Sequence, residues 1–232
     1  MQKKQAAILN TYKDDFGKYA KETSFLHLQK IINAIPTLLG RKVVYSNIDN
    51  NVKSRELKSA LELLELAGLV HRVKRSNGEG LPLEADVKDN YFKIMFLDVG
   101  LLQYLSKADK EVVMEGDLNS IFKGGISEQF VGQELVVAQP NYSKASLYYW
   151  ARDKAGSSAE VDYIIPKDGQ VLAVEVKSGH VNQMKSLWMF IKAYQSPYGI
   201  RIAQSPFEKT EKVMSIPNFA LWAYLKEDQK AY

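Results

Sequence analysis

The spacing of hydrophobic positions changes partway along the chain. Up to about Ala67 apolar residues recur every three or four positions, the period of a helix with one buried face. Met1 to Glu22 is polar with isolated Ile8, Leu9, Tyr12, Phe16 and Tyr19, an amphipathic helix without an obvious partner of its own. Phe25 to Leu39 predicts a second helix on Leu28, Ile31, Ile32 and Ile35, with Gly40 as its stop. Ser54 to Ala67 predicts a third, with Leu57, Leu61 and Leu64 on one face and Gly68 after it. Leu69 to Arg75 then alternates as a strand, Ser76 to Asn90 reads as a loop, and Tyr91 to Leu97 is a second strand able to pair with the first. Helices followed by a basic two-stranded wing describe a winged helix.

From about Asn119 the grammar changes. A helix to about Ala138 precedes strands at Ser146 to Trp150, Glu160 to Ile165 and Val171 to Lys177, then a helix from Asn182 to Gln195 and a strand from Tyr198 to Gln204. The order α-β-β-β-α-β predicts an α/β domain around a mixed central sheet. Between the second and third strands lies Lys167-Asp168-Gly169-Gln170, and Asp-Gly favours a type I′ turn because both central positions need positive φ. That turn sets the register: Ile164 opposite Ala173, Asp162 opposite Glu175, and Glu160 opposite Lys177. Strict alternation would place Glu160, Asp162, Ala173, Glu175 and Lys177 on one face, with Val161, Tyr163, Leu172, Val174 and Val176 on the other.

Directly opposed carboxylates have Cβ atoms roughly 5 Å apart and destabilise a hairpin unless positive charge stands between them. A hard divalent cation such as Mg²⁺ or Mn²⁺ fits, since it takes carboxylate oxygens and retains water. Lys177, two residues beyond Glu175, would point to the same side and could orient a water or stabilise charge developing on a phosphate. The alternative is an ordinary polar face with Glu160 and Lys177 as a cross-strand ion pair. A third acid should come from the preceding helix. On a helical wheel Glu134 falls within the apolar arc of Phe130, Val131, Val137 and Ala138, whereas Glu128 sits at its edge beside Leu135.

Composition narrows the classes. The 232 residues are 46% hydrophobic and 25% charged, enough for a sizeable core and too apolar for disorder. With no cysteine the chain forms no disulfide and offers no thiolate ligand or nucleophile, which fits a reducing compartment. The first residues lack the apolar core of a signal peptide, and no window approaches the roughly 20 apolar residues of a membrane span, so a cytoplasmic protein is expected. Net charge is +4, and all of it lies between Gly40 and Ser76, where Arg41, Lys42, Lys53, Arg55, Lys58, Arg72, Lys74 and Arg75 outnumber Asp49, Glu56, Glu62 and Glu65 by eight to four. Lys53, Arg55 and Lys58 on the third helix and Arg72, Lys74 and Arg75 on the wing are therefore the candidate phosphate contacts. Otherwise they form a solvated surface.

Gly125-Ile126-Ser127-Glu128-Gln129-Phe130-Val131-Gly132-Gln133-Glu134-Leu135, then Leu147 to Arg152, Ala159-Glu160-Val161-Asp162-Tyr163 and Val174-Glu175-Val176-Lys177-Ser178-Gly179 carry a resemblance. Together with Tyr91-Phe92-Lys93 and Leu97 to Leu102, they resemble the C-terminal domain of unknown function found in a prokaryotic family of AAA-type ATPases. That domain is similar to the PD-(D/E)XK nuclease superfamily, which has a restriction-endonuclease-like fold. The resemblance covers nearly the whole chain and implies a small winged-helix domain (23–97) before a nuclease-like domain (98–232). It places the superfamily's helix glutamate on Glu128, with Glu134 the second choice, its metal-binding Asp on Asp162, and its (D/E)XK pair on Glu175 and Lys177.

Members of that family carry an ATPase upstream. This chain lacks GxxxxGK[ST], since Gly17-Lys18 is followed by Tyr19, so no ATP hydrolysis is expected from it, and 1–22 reads as a helical remnant of an upstream ATPase domain. Two functions follow. One is a Mg²⁺- or Mn²⁺-dependent nucleic-acid phosphodiesterase with Asp162, Glu175 and Glu128 as ligands and Lys177 beside the reacting phosphate. The other is a catalytically silent DNA- or protein-binding module that regulates or targets the ATPase.

Overall fold

The computed structural model describes residues 1–19, 22–106, 120–152, 158–178 and 184–226. The chain is a mixed α/β protein with a helical N-terminal part and an eight-stranded sheet. It divides into two compact units, residues 1–72 with 93–119, and residues 73–92 with 120–232. The division runs through both strands of the expected wing. It also differs from a boundary at 97, because the helix after the second strand belongs to the first unit.

In the first unit, α1 (Gln2–Tyr19), α2 (Glu22–Leu38), α3 (Tyr45–Ile48) and α4 (Ser54–Leu66) are followed, after the strand pair, by α5 (Val99–Leu105). The predicted apolar faces of α2 and α4 meet: Leu28, Ile31, Ile32 and Ile35 of the one and Leu57, Leu61 and Leu64 of the other are buried, and the two helices pack together. Gly40 and Gly68 follow the two helices with φ of 64° and 72°, the left-handed conformation that ends a helix and that a Cβ would strain. Helix α1 is not an unpartnered tail. It packs on α5 and α2, and Gln5 Nε2 donates to the carbonyl of Gly100 at 2.9 Å. Its partner lies far along the chain, so local periodicity could not show it.

In the second unit the sheet order is β2-β1-β3-β4-β5-β6-β8-β7, with β1 (Val70–Ser76), β2 (Val87–Phe96), β3 (Leu147–Ala151), β4 (Glu160–Lys167), β5 (Gln170–Lys177), β6 (Gly199–Ala203), β7 (Glu208–Lys209) and β8 (Val213–Pro217). β3, β4 and β5 are successively antiparallel, while β1 with β3, β5 with β6, and β6 with β8 are parallel. The expected α-β-β-β-α-β order is present as α6 (Ser120–Val137), β3, β4, β5, α7 (Lys185–Tyr194) and β6; β7, β8 and α8 (Leu221–Lys226) extend beyond it. The strand β1 is not a free wing. Val73, Lys74 and Arg75 pair in parallel with Leu147, Tyr148 and Tyr149, which makes the hairpin part of the large sheet. Nor is Ser76 to Asn90 all loop, since β2 begins at Val87 after a 3₁₀ turn at Leu83–Asp86.

The Asp168-Gly169 turn is as the sequence predicts. Both residues have positive φ, 50° and 72°, and Lys167 pairs with Gln170 across it. The ladder then runs through Ile164 opposite Ala173 to Tyr163 opposite Val174. Successive residues point to opposite faces, so Tyr163, whose hydroxyl reaches α6, and Ile164, which packs with Leu187, Phe190 and Ile191 of α7, place the two helices on opposite sides of the sheet. The α7 side is aromatic. Phe190 packs edge-on to Trp150 with centroids 5.5 Å apart and lies 4.5 Å from Tyr194, while Trp150 Nε1 donates to the Tyr194 hydroxyl. Burial of Phe190 alone is worth about 1.5–3 kcal/mol.

Candidate functional site

Strict alternation fails at one place, next to Asp162. The register between β3 and β4 shifts between Tyr148, opposite Ile164, and Trp150, opposite Val161. Two residues of β3 thus span three of β4, a bulge. As a result Val161 joins Ile164 and Ala173 in the core under α7 rather than sharing a face with Tyr163, and the face expected to be purely apolar is interrupted. Strand β4 is set aside from the regular ladder at Asp162, and the Asp162 side chain does the work of a backbone group: its Oδ2 accepts from the Val176 amide at 2.7 Å. Asp162 is therefore tied to β5 at Val176, the residue after Glu175, and the predicted pairing of Asp162 with Glu175 is not part of the ladder.

Glu175 is buried, and only 8% of its side-chain surface is exposed. Its Oε1 accepts from Lys177 Nζ at 2.5 Å, the same-side relationship expected two residues along a strand. Strand β6 contributes a cation that the sequence reading did not single out. Arg201 is the pairing partner of Glu175 and is itself 9% exposed. The signal was present, as a lone charged residue in Gly199-Ile200-Arg201-Ile202-Ala203, but the pairing of β6 with β5 cannot be read from the strand itself.

Of the two helix acids, Glu128 lies nearer the ends of these strands. A Cβ on Gly124 would be 3.8 Å from Ser178 Oγ, just beyond β5, and Glu128 follows Gly124 by one helical turn on the same side. The Tyr163 hydroxyl donates to the Glu128 carbonyl at 2.8 Å. Nothing comparable ties Glu134 to β4 or β5 among the described residues. The carboxylates do not converge as a triad, however. Among the described residues no group of three or more His, Asp or Glu side chains stands close enough to share an ion. The pair Asp162 and Glu175 fits Mg²⁺ by donor chemistry, since that ion needs only one or two carboxylates and fills its other positions with water or phosphate oxygens.

The cations expected to meet phosphates fall into two groups. Lys53, Arg55 and Lys58 are exposed on and just before α4. The wing residues are engaged elsewhere. Arg75 is 7% exposed, donates to the carbonyl of Ala151 at 3.0 Å and lies over the Tyr91 ring, so it is a buried cation held within the fold. Arg72 donates through Nε and Nη2 to Glu65 Oε2 at 2.9 and 2.6 Å. Lys74, the most exposed of the three, stands 3.7 Å from Asp89. The physical reason is the sheet: taking β1 in between β2 and β3 surrounds its side chains, which a free wing would leave in water.

A cavity of about 800 Å³ lies away from the acids, walled by Leu83, Leu135, Ile165, Pro166 and Leu225. At its edge Tyr148 donates to Glu84, and burial, reinforced by that bond, pushes the Tyr148 hydroxyl up to about 12. No helix among the described residues is long and apolar enough to cross a membrane.

The fold and site define a mixed α/β protein with a carboxylate-lysine cluster at the end of a β-hairpin ladder. Residues 1–112 match the family described as Domain of unknown function (DUF8612), and residues 123–219 match the family described as Domain of unknown function (DUF4143). No curated protein and no solved structure matches the chain.

Proposed function

We propose that the second unit is a metal-dependent nucleic-acid phosphodiesterase of the PD-(D/E)XK kind, and that the helices before it serve to bring it to nucleic acid. The observation that supports this reading is that the Asp162 carboxylate accepts from the amide of Val176, the residue between Glu175 and Lys177, where the β4–β5 ladder ends. Asp162 and Glu175 would hold the ion, with Glu128 the candidate for a third oxygen. Mg²⁺ or Mn²⁺ would supply polarisation of the scissile phosphate and an activated water. Lys177 contributes positive charge next to Glu175, where a phosphate oxygen gains negative charge during displacement. Val176 holds the Asp162 carboxylate through its amide and so limits its rotation. Exposed Lys53, Arg55 and Lys58 would attract the polyanion.

The match to DUF4143, a family commonly found in proteins associated with AAA-type ATPases, supports an ATPase as the partner domain. A silent binding module in such a protein is the second reading. It is favoured by the absence, among the described residues, of a group of three acids placed to share an ion, and by Lys177 Nζ already standing on Glu175.

The experiment is calorimetry with Mn²⁺ together with cleavage of a panel of single- and double-stranded DNA and RNA. Asp162→Ala and Glu175→Ala are expected to abolish both metal binding and cleavage, and Lys177→Ala to leave the metal bound yet slow the reaction. A wild-type chain that neither binds Mn²⁺ nor cuts any substrate would overturn the enzyme and leave the binding module.

A further inference from the structure

A polar row crosses three adjoining strands of the sheet in register. Glu175 pairs with Arg201, and Arg201 pairs with Ser215 on β8. The three are 6, 9 and 5% exposed. Paired residues of adjoining parallel strands project to the same face, so the side chains of Glu175 and Arg201 leave the sheet side by side. That face is the one under α7, since Gly199, two residues before Arg201, lies so near the helix that a Cβ there would be 2.6 Å from Leu187 Cδ1. A guanidinium cannot be neutralised by losing its proton, so burying one demands an anion beside it. Glu175 is the acid that the register supplies.

The charges then balance. Among the described residues, Asp162 and Glu175 bring two acids to β4 and β5, and Lys177 and Arg201 bring two bases, so these four groups balance before any ion arrives. We propose that Arg201 is the built-in counter-charge of this site and sets its demand for a divalent cation. Arginine and metal ion are alternative neutralisers of Glu175. The inference deepens the metal-site reading above and rests on it, and it assigns Arg201 a positioning role without contact to the reacting phosphate. It predicts a sign that a merely supporting residue would not give. Removing the guanidinium leaves one net negative charge, so the site should bind a divalent ion more tightly; a residue that only held Glu175 in place would weaken binding when lost.

The test is Mn²⁺ titration calorimetry on the full chain for wild type, Arg201→Gln and Arg201→Lys, with thermal melts read by circular dichroism. Arg201→Gln is expected to bind Mn²⁺ at least about tenfold more tightly than wild type, and its melting temperature should rise more on adding Mn²⁺. Arg201→Lys, which keeps the charge but not the planar fork, should stay within about threefold of wild type. If wild type binds Mn²⁺ and Arg201→Gln binds it equally or more weakly, the counter-charge is overturned while the metal site stands. If Arg201→Gln alone binds Mn²⁺, the counter-charge stands and the phosphodiesterase reading falls. Binding by neither overturns both. An Arg201→Gln chain that is unfolded and stays so in millimolar Mn²⁺ also overturns the proposal, because the ion then cannot replace the arginine.

Discussion

The Tyr163 hydroxyl donates to the backbone carbonyl of Glu128 across 2.8 Å, which joins the strand of one candidate acid to the helix of another. Asp162 immediately precedes Tyr163, so this bond links the position of α6 to the bulge that sets Asp162 against β5. Tyr163→Phe keeps the ring and removes the donor. It should cost about 1 kcal/mol, measured by urea unfolding. Comparison of the two helix acids adds a functional arm: Glu128→Ala is expected to weaken Mn²⁺ binding and Glu134→Ala to leave it unchanged. The reverse result would return the site to the wheel's choice.

The two sets of cations should separate experimentally. Replacement of Lys53, Arg55 and Lys58 by alanine is expected to flatten the salt dependence of nucleic-acid binding by up to about three units of log–log slope. Arg75→Ala should instead lower stability without changing the slope, because it removes a buried cation whose partner is the Ala151 carbonyl. Equal slopes for wild type and the triple variant would leave α4 a solvated surface.

Gly199 tests how closely α7 is seated on β6. A Cβ there would approach Leu187 Cδ1 to 2.6 Å and Ile191 Cδ1 to 3.0 Å, closer than side-chain packing allows. Gly199→Ala should destabilise by about 1–3 kcal/mol. Trimming Leu187 in the same chain should recover part of that loss, a coupling visible in a double-mutant cycle.

Tyr148 should mark the alkaline limit of stability. Burial first, and the bond to Glu84 second, raise its hydroxyl from an ordinary 10.0 to about 12. The folded state keeps a proton that the unfolded state loses, so this contribution is complete below pH 10 and disappears as pH rises through about 12. Tyr148→Phe is expected to flatten the stability profile across that window. Absorbance at the phenolate band should show one fewer late-ionising tyrosine.

What the sequence made legible is local. The Asp168-Gly169 turn, the α2 and α4 faces and the α-β-β-β-α-β order each depend on neighbours a few residues away, and each is present. What it hid depends on strands meeting from a distance. The bulge at Asp162 arises from pairing with β3, Arg75 is buried because β1 joins the same strand, and Arg201 meets Glu175 through a parallel crossover. Charge at Arg75 reads as surface when counted along the chain, yet becomes interior once partners close over it.

The position of β1 has a consequence for biosynthesis. The chain passes from the first unit to the second at Val73, back at Lys93, and forward again at Ser120, so no single cut separates the two. On the ribosome the β1–β2 hairpin emerges well before Leu147, the start of the strand that covers the other side of β1. For that interval β1 presents an open edge to whatever is nearby. A nascent chain stalled between Asn90 and Leu147 should therefore be more prone to strand-mediated aggregation than the released protein.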